Sequence, residues 1–129
     1  MKRHTRTLIH VLCLVLAAPV LAGEYAVVVS KATRADKDWQ PVVAALVKKH
    51  EAIVIEHDGE VAAALGSLRA AFPRYTCFVA TPKEATGVYV AQVHQLTRKL
   101  DDDPYTDTLW GILTGFNAEN AQLRGTLSR

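Results

Sequence analysis

Short apolar runs recur along this chain, and the segments between them have apolar residues spaced three or four apart. The runs cover residues 25–29, 52–55, 75–80 and 108–114. Continuous apolar runs rich in Val and Ile are typical of strands that are covered on both faces, as in parallel sheets. The intervening segments supply the helices that parallel strands need as crossover connections. The order therefore predicts an α/β fold, an open, mainly parallel, doubly wound sheet of about four strands with helices on both faces.

The number of runs bears on the size of the domain. Residues 23–129 are predicted to form a single α/β domain, but open doubly wound sheets commonly have five or six strands. We therefore expect these residues to be the N-terminal portion of a larger sheet, with a small four-stranded domain as the alternative. An incomplete sheet would keep an unpaired strand edge, and such an edge is a template for self-association.

Three helices are predicted between the runs, and a short fourth one follows residue 117. The first covers residues 38–50, after a polar connection. The second has Asp58 as its N-cap and turns Phe72 toward the core. The third begins at Thr81 and Glu84, which have the spacing of a capping box, and extends to residue 100.

Residues 1–22 have the three parts of a secretory signal peptide. A basic start precedes an apolar run over residues 8–20, and Ala22 ends a stretch suited to signal peptidase. The run is shorter than the roughly 20 apolar residues that a comfortable membrane span needs. We expect cleavage after Ala22 and export to the periplasm or the cell exterior.

The charge balance limits the classes of partner. The whole chain has 15 basic and 13 acidic residues and a formal net charge of +2. Loss of residues 1–22 removes Lys2, Arg3 and Arg6 and no acid, which leaves 12 basic and 13 acidic residues and a net charge of −1. This balance does not support a nucleic-acid or anionic-membrane partner. We expect neither partner, and no stable membrane span after cleavage.

Candidate ligand-binding residues follow from the position of the strands, because ligands of open α/β sheets bind outside the carboxyl ends of the strands. The four loops at that edge are residues 30–34, 56–59, 81–83 and 115–117. Ser30, Lys31 and Thr33 offer hydroxyl and ammonium groups for a small anion near a helix N-terminus. This loop contains no glycine, so neither a phosphate-binding loop nor a dinucleotide fingerprint is present. His57, in the second loop, is the remaining candidate.

No catalytic residue, metal site or cofactor is predicted. Cys77 lies in the middle of an apolar run, where a buried and inert cysteine is expected, so a nucleophile–base pair with His57 is disfavoured. Once residues 1–22 are removed, Cys77 is the only cysteine and an intrachain disulfide is impossible. The histidines lack the paired spacing of a zinc site. The acidic residues 101–103 lack the alternating spacing of a calcium loop.

The most distinctive segment is Asp-Pro-Tyr-Thr-Asp-Thr-Leu-Trp-Gly-Ile-Leu-Thr-Gly at residues 103–115. It resembles a region of gingipain-like cysteine peptidases, which have the caspase-like fold, where an acidic loop with Thr-Asp precedes a strand rich in glycine and aliphatic residues. The run at residues 25–30 is compatible with the start of that domain, so the resemblance can extend over residues 24–120. The chain lacks the family's Asp-Gly-rich hairpin near this loop.

The family's catalytic pair does not carry over to this chain. That pair is a histidine followed by glycine after one strand and a cysteine after a later strand, whereas here Asp58 follows His57 and Cys77 lies within its run. The resemblance therefore implies the non-catalytic N-terminal part of a caspase-like protein. The alternative is a complete small flavodoxin-like binding module for a small anion or a protein partner. An enzyme that uses His57 is a third, weaker hypothesis.

Overall fold

A computed structural model describes residues 23–127 and shows a four-stranded sheet in which all strands are parallel, which confirms the predicted fold class. The strand order is β2-β1-β3-β4, so β1 and β3 are the central strands. The strands are β1 Tyr25–Ser30, β2 Ile53–His57, β3 Tyr75–Val79 and β4 Leu109–Leu113. The helices are α1 Lys31–Ala35, α2 Gln40–His50, α3 Leu65–Ala71, α4 Gly87–Leu96 and α5 Ala118–Leu127, and a 3₁₀ turn, Val61–Ala64, leads into α3.

The sheet separates two hydrophobic cores. Val27 and Val29 of β1 are fully buried on one side, packed with residues of α2 and α5; we call this the α2 face. Val28, between them in sequence, is fully buried on the opposite side with Phe78 and with residues of α3 and α4; we call this the α4 face. Alternate side chains of a strand point to opposite faces, so burial on both sides explains the continuous apolar run.

The direction of winding reverses at the centre of the sheet. From β1 the chain crosses to β2 on one side, and after β2 it passes over β1 to pair β3 on the other side. The carboxyl ends of β1 and β3 are therefore neighbours at the topological switch point, where open α/β sheets bind ligands. Because all four strands are parallel, the four loops predicted from the sequence do lie at one edge.

Helix boundaries were the least accurate part of the sequence prediction. The supposed polar connection contains α1, whose N-cap Ser30 accepts a hydrogen bond from the Thr33 amide at 3.0 Å. Asp58 is not an N-cap: it forms an exposed ion pair with Lys31. Helical structure after β2 begins instead at Val61, as a 3₁₀ turn.

The third predicted helix is shorter than expected. Thr81 and Glu84 do form the reciprocal hydrogen bonds of a capping box, but only a turn follows them. Helix α4 begins at Gly87, after a second N-cap, Thr86. The Thr86 hydroxyl accepts a hydrogen bond from the Tyr89 amide at 3.2 Å. It ends at Leu96 rather than at residue 100.

Two surface features differ from a fully covered sheet. Phe72 is not a core residue: it is half exposed and has left-handed backbone geometry at the end of α3. On β4, Leu109 is 63% exposed, and this strand pairs only with β3 among residues 23–127. Within the same described range, no helix is both long enough and apolar enough to cross a membrane.

Candidate functional site

Glu84 connects the two loops at the switch point. Its Oε1 accepts a hydrogen bond from Ser30 Oγ at 2.5 Å, and its Oε2 accepts one from Thr33 Oγ1 at 2.7 Å. The amide of Thr81 also donates to Oε2, at 2.9 Å. The carboxylate therefore fixes the β1–α1 connection to the β3–α4 connection through donors from both.

These donors stabilise the ionised form of Glu84. Burial would raise its pKa, but the hydrogen bonds from Ser30, Thr33 and Thr81 together outweigh burial and lower the pKa below the ordinary value. Glu84 is therefore a stable anion at neutral pH. It occupies the position beside Ser30 and Thr33 where the sequence predicted an exogenous anion.

His57 is the last residue of β2 and is 5% exposed. Its Nδ1 lies 3.1 Å from the carbonyl oxygen of Gly59, which can only accept, so Nδ1 is the protonated nitrogen of the neutral ring. Burial lowers the pKa of His57, although the Gly59 carbonyl and the charges of Glu84 and Asp58 act in the opposite direction. The ring is thus neutral at neutral pH, and Nε2 is left as an acceptor.

Tyr89 completes this group of residues from the first turn of α4. Its side chain is 9% exposed, yet its buried hydroxyl has no hydrogen-bond partner among residues 23–127. Burial and the negative charge of Glu84 raise its pKa, so the hydroxyl stays protonated. An unpaired buried hydroxyl costs free energy, which a suitably placed ligand group would recover.

A cavity of about 330 Å³ brings these groups together at the α4-face side of the switch point. We call it the switch-point cavity, and its polar lining includes His57, Glu60, Glu84 and Tyr89. Val61 and Val88 contribute apolar wall. A concave site with convergent polar groups at the switch point of an open α/β sheet is the expected position of a ligand site.

The predicted candidates are only partly assembled there. Ser30 and Thr33 meet through Glu84, and His57 lines the same cavity as Glu84, whereas Lys31 is turned toward Asp58 at 3.5 Å. Sequence analysis missed Glu84 and Tyr89 as site residues. The capping-box spacing assigned Glu84 to the first turn of a helix, as a local cap, and Tyr89 had no signal beyond a position on the apolar side of that helix.

Cys77 lies elsewhere, in a groove of about 230 Å³ on the α2 face. It pairs with Val27 in the middle of the sheet and is 8% exposed, as the sequence predicted. Burial raises its pKa to about 11. His57 ends β2, on the far side of β1, so the structure does not place Cys77 and His57 together.

The carboxylates of Asp101, Asp103 and Asp107 lie within 4.8 Å of one another. They accept hydrogen bonds from backbone amides of their own loop: Asp107 from Leu100 at 2.8 Å, Asp101 from Asp103, and Asp103 from Tyr105. The acidic residues therefore shape the loop after α4. They lie beyond the helix terminus, so their charges do not oppose its dipole within the last turn.

The fourth predicted loop borders a different cavity, of about 310 Å³, beside the end of β4. Thr114 and Asn120 line it, and each has a buried oxygen without a hydrogen-bond partner among the described residues. Both residues are only half-buried, and the exposed Phe116 forms part of the opening. We take the switch-point cavity as the candidate because its unpaired hydroxyl is on a buried side chain and it lies at the switch point.

Comparisons with protein-family models, with curated proteins and with solved structures found no match for this chain.

Proposed function

We propose that this chain is an exported, non-catalytic α/β binding module that holds a small molecule in the switch-point cavity. The observation that carries the proposal is Tyr89, a lining residue of the cavity whose buried hydroxyl has no partner among the described residues. Native proteins pair nearly all buried polar groups, and a ligand would supply the missing hydrogen bond.

The groups around the cavity favour binding over catalysis. Ser30 Oγ donates a hydrogen bond to the Glu84 carboxylate at 2.5 Å, as a nucleophile would to its base. Glu84, however, has a lowered pKa and is therefore a weak base. His57 Nδ1 is engaged with a backbone carbonyl, and no cysteine is among the described residues that line the cavity. A nucleophile needs a base of matched pKa within hydrogen-bond reach, and this arrangement does not provide one.

A direct test uses thermal unfolding of the protein with three four-carbon probes: n-butylammonium, 1-butanol and butyrate. A ligand that binds only the folded state stabilises it by RT ln(1 + c/Kd), where c is the free ligand concentration, and so raises the unfolding temperature as that concentration increases. We expect at least one probe to stabilise the wild type. Gln92→Trp should abolish the effect, because Gln92 lines the cavity and an indole would fill it.

The matched control is Gln95→Trp, which places the same side chain on α4 outside this cavity. Gln95→Trp should respond as the wild type does. Absence of stabilisation by all three probes would contradict the proposal, as would an unchanged response of Gln92→Trp. Export is tested separately by N-terminal sequencing of secreted protein, with Gly23 expected as the first residue.

A second candidate is the non-catalytic N-terminal part of a gingipain-like, caspase-like domain. The exposed Leu109 on β4, an edge strand among the described residues, favours it, because a further strand would cover that edge. Light scattering over a concentration series tests this. Self-association that Leu109→Lys reduces would support an unsatisfied edge, and a monomer at all concentrations would count against it.

A further inference from the structure

We propose that the ligand of the switch-point cavity is a small organic cation, such as a primary ammonium compound, held by Glu84 and Tyr89. This inference rests on the proposed function, since it names the chemical class that the same cavity would take. It follows from three observations: the charges that line the cavity, the hydrogen-bonding capacity left there, and the state of the neighbouring basic side chains.

The formal charge of the lining is negative. Glu60 and Glu84 are both lining residues, and no Lys or Arg is among them. The neutral His57 does not offset these charges. A site with low-dielectric walls and one sign of charge concentrates ligands of the opposite sign.

The unused hydrogen-bonding capacity consists mainly of acceptors. Glu84 Oε1 accepts one hydrogen bond, from Ser30, and retains a lone pair, while His57 Nε2 has no partner within the described part of the chain. Tyr89 Oη can accept or donate. An ammonium group has three donors and no acceptor, which complements this set.

The basic residues nearby are directed to other acids. Lys31 Nζ lies 3.5 Å from Asp58, and Arg34 Nε lies 3.5 Å from Glu56. A small anion entering from the cavity would therefore meet the Glu84 carboxylate and not a free cation. The hydroxyls of Ser30 and Thr33, which the sequence analysis assigned to an anion, already donate to that carboxylate.

Calorimetric titration at neutral pH with n-butylammonium, 1-butanol and butyrate tests the ligand class, because the three probes share a carbon chain and differ only in the headgroup. We expect n-butylammonium to bind at least about tenfold more tightly than either other probe, as a charge-assisted hydrogen bond would require. Glu84→Gln, which keeps the shape and removes the charge, should weaken binding by about tenfold or more.

Tyr89→Phe removes only the unpaired hydroxyl and should weaken n-butylammonium binding by several-fold, whether or not Glu84→Gln folds. Glu119→Gln, an exposed acid on α5, makes the same change in net charge away from the cavity and should leave binding unchanged. Equal or tighter binding of butanol or butyrate would overturn the cation class and leave the binding module standing. Failure of all three probes would overturn both.

Discussion

The carboxylate of Glu84 lies 2.7 Å from the hydroxyl of Thr33, a residue 51 positions earlier in the chain. This hydrogen bond, together with that from Ser30, ties the ends of the two central strands at the point where the sheet reverses its winding. The same carboxylate lines the switch-point cavity. Glu84 therefore serves both the local architecture and the proposed site.

Glu84→Ala is expected to destabilise the fold by about 2–3 kcal/mol, because hydrogen bonds to a charged group are lost and two hydroxyls lose their acceptor. Chemical denaturation measures the change in the free energy of unfolding. Lys83→Ala, at the exposed neighbouring position, should change it by no more than about 0.5 kcal/mol. Equal effects of the two variants would show that the Glu84 contacts contribute little.

Stability should fall on acidification in two stages. Burial lowers the pKa of His57 from 6.5 in the folded state. The contribution of the neutral ring to the free energy of unfolding is therefore complete above pH 6.5 and is lost as the pH falls through the lowered pKa. Glu84 is partly buried, but its hydrogen-bond donors outweigh burial and lower its pKa from 4.5. Its contribution to the free energy of unfolding is therefore complete above pH 4.5 and is lost as the pH falls through the lowered pKa.

Denaturation midpoints measured across this pH range test the assignment of both stages. His57→Gln should remove the stage below pH 6.5, and Glu84→Gln should remove the stage below pH 4.5. The groups that act on His57 are Glu84 and Asp58, so Asp58→Asn is a further control with a smaller expected effect. If both variants lose stability on acidification as the wild type does, the two stages do not come from His57 and Glu84.

Cys77 should be unreactive in the folded protein. Burial raises its pKa to about 11, so at neutral pH alkylation should be slower than for a free thiol by about a hundredfold or more. Cys77→Ala should cost about 1–2 kcal/mol of stability. An exposed reference thiol, Ser67→Cys in the Cys77→Ala background, should react rapidly. Comparable rates for the two thiols would contradict the structural role.

Two glycines of similar location should tolerate alanine very differently. A Cβ at Gly115 would lie 2.8 Å from the backbone nitrogen of Ala121, so Gly115→Ala should cost about 1–3 kcal/mol. A Cβ at Gly111 would meet open space, so Gly111→Ala should change stability by at most about 0.5 kcal/mol. Urea midpoints of the two variants provide the comparison, and the reverse order would show that the β4–α5 connection is placed differently.

The sequence predicted the strands well because continuous β-branched runs are a local signal of burial on both faces. The sequence predicted helix boundaries less well where more than one residue can act as the N-cap. Thr81 and Thr86 can each cap a helix. In the structure, Glu84 accepts a hydrogen bond from Ser30 of the neighbouring strand and only a turn follows Thr81, whereas the helix begins after Thr86. The five-residue α1 is too short to show helical periodicity.

The candidate site was less predictable than the fold because it depends on strand order. Ser30 and Glu84 meet only because β3 lies beside β1, and local patterns do not specify that neighbour. Tyr89 occupies the apolar side of its helix, where its ring fits the core pattern. That its hydroxyl lacks a partner becomes visible only when the surrounding side chains are in place.

The location of ligand binding is tested most directly by following backbone amide NMR shifts while n-butylammonium is added. We expect saturable shift changes centred on Gly59, Glu84 and Tyr89, which line the switch-point cavity. These changes should be absent in Gln92→Trp and retained in Gln95→Trp. Saturable changes centred instead on Cys77 and Gly111, in the groove on the α2 face, would place the ligand elsewhere, and no saturable change at all would refute binding in the switch-point cavity.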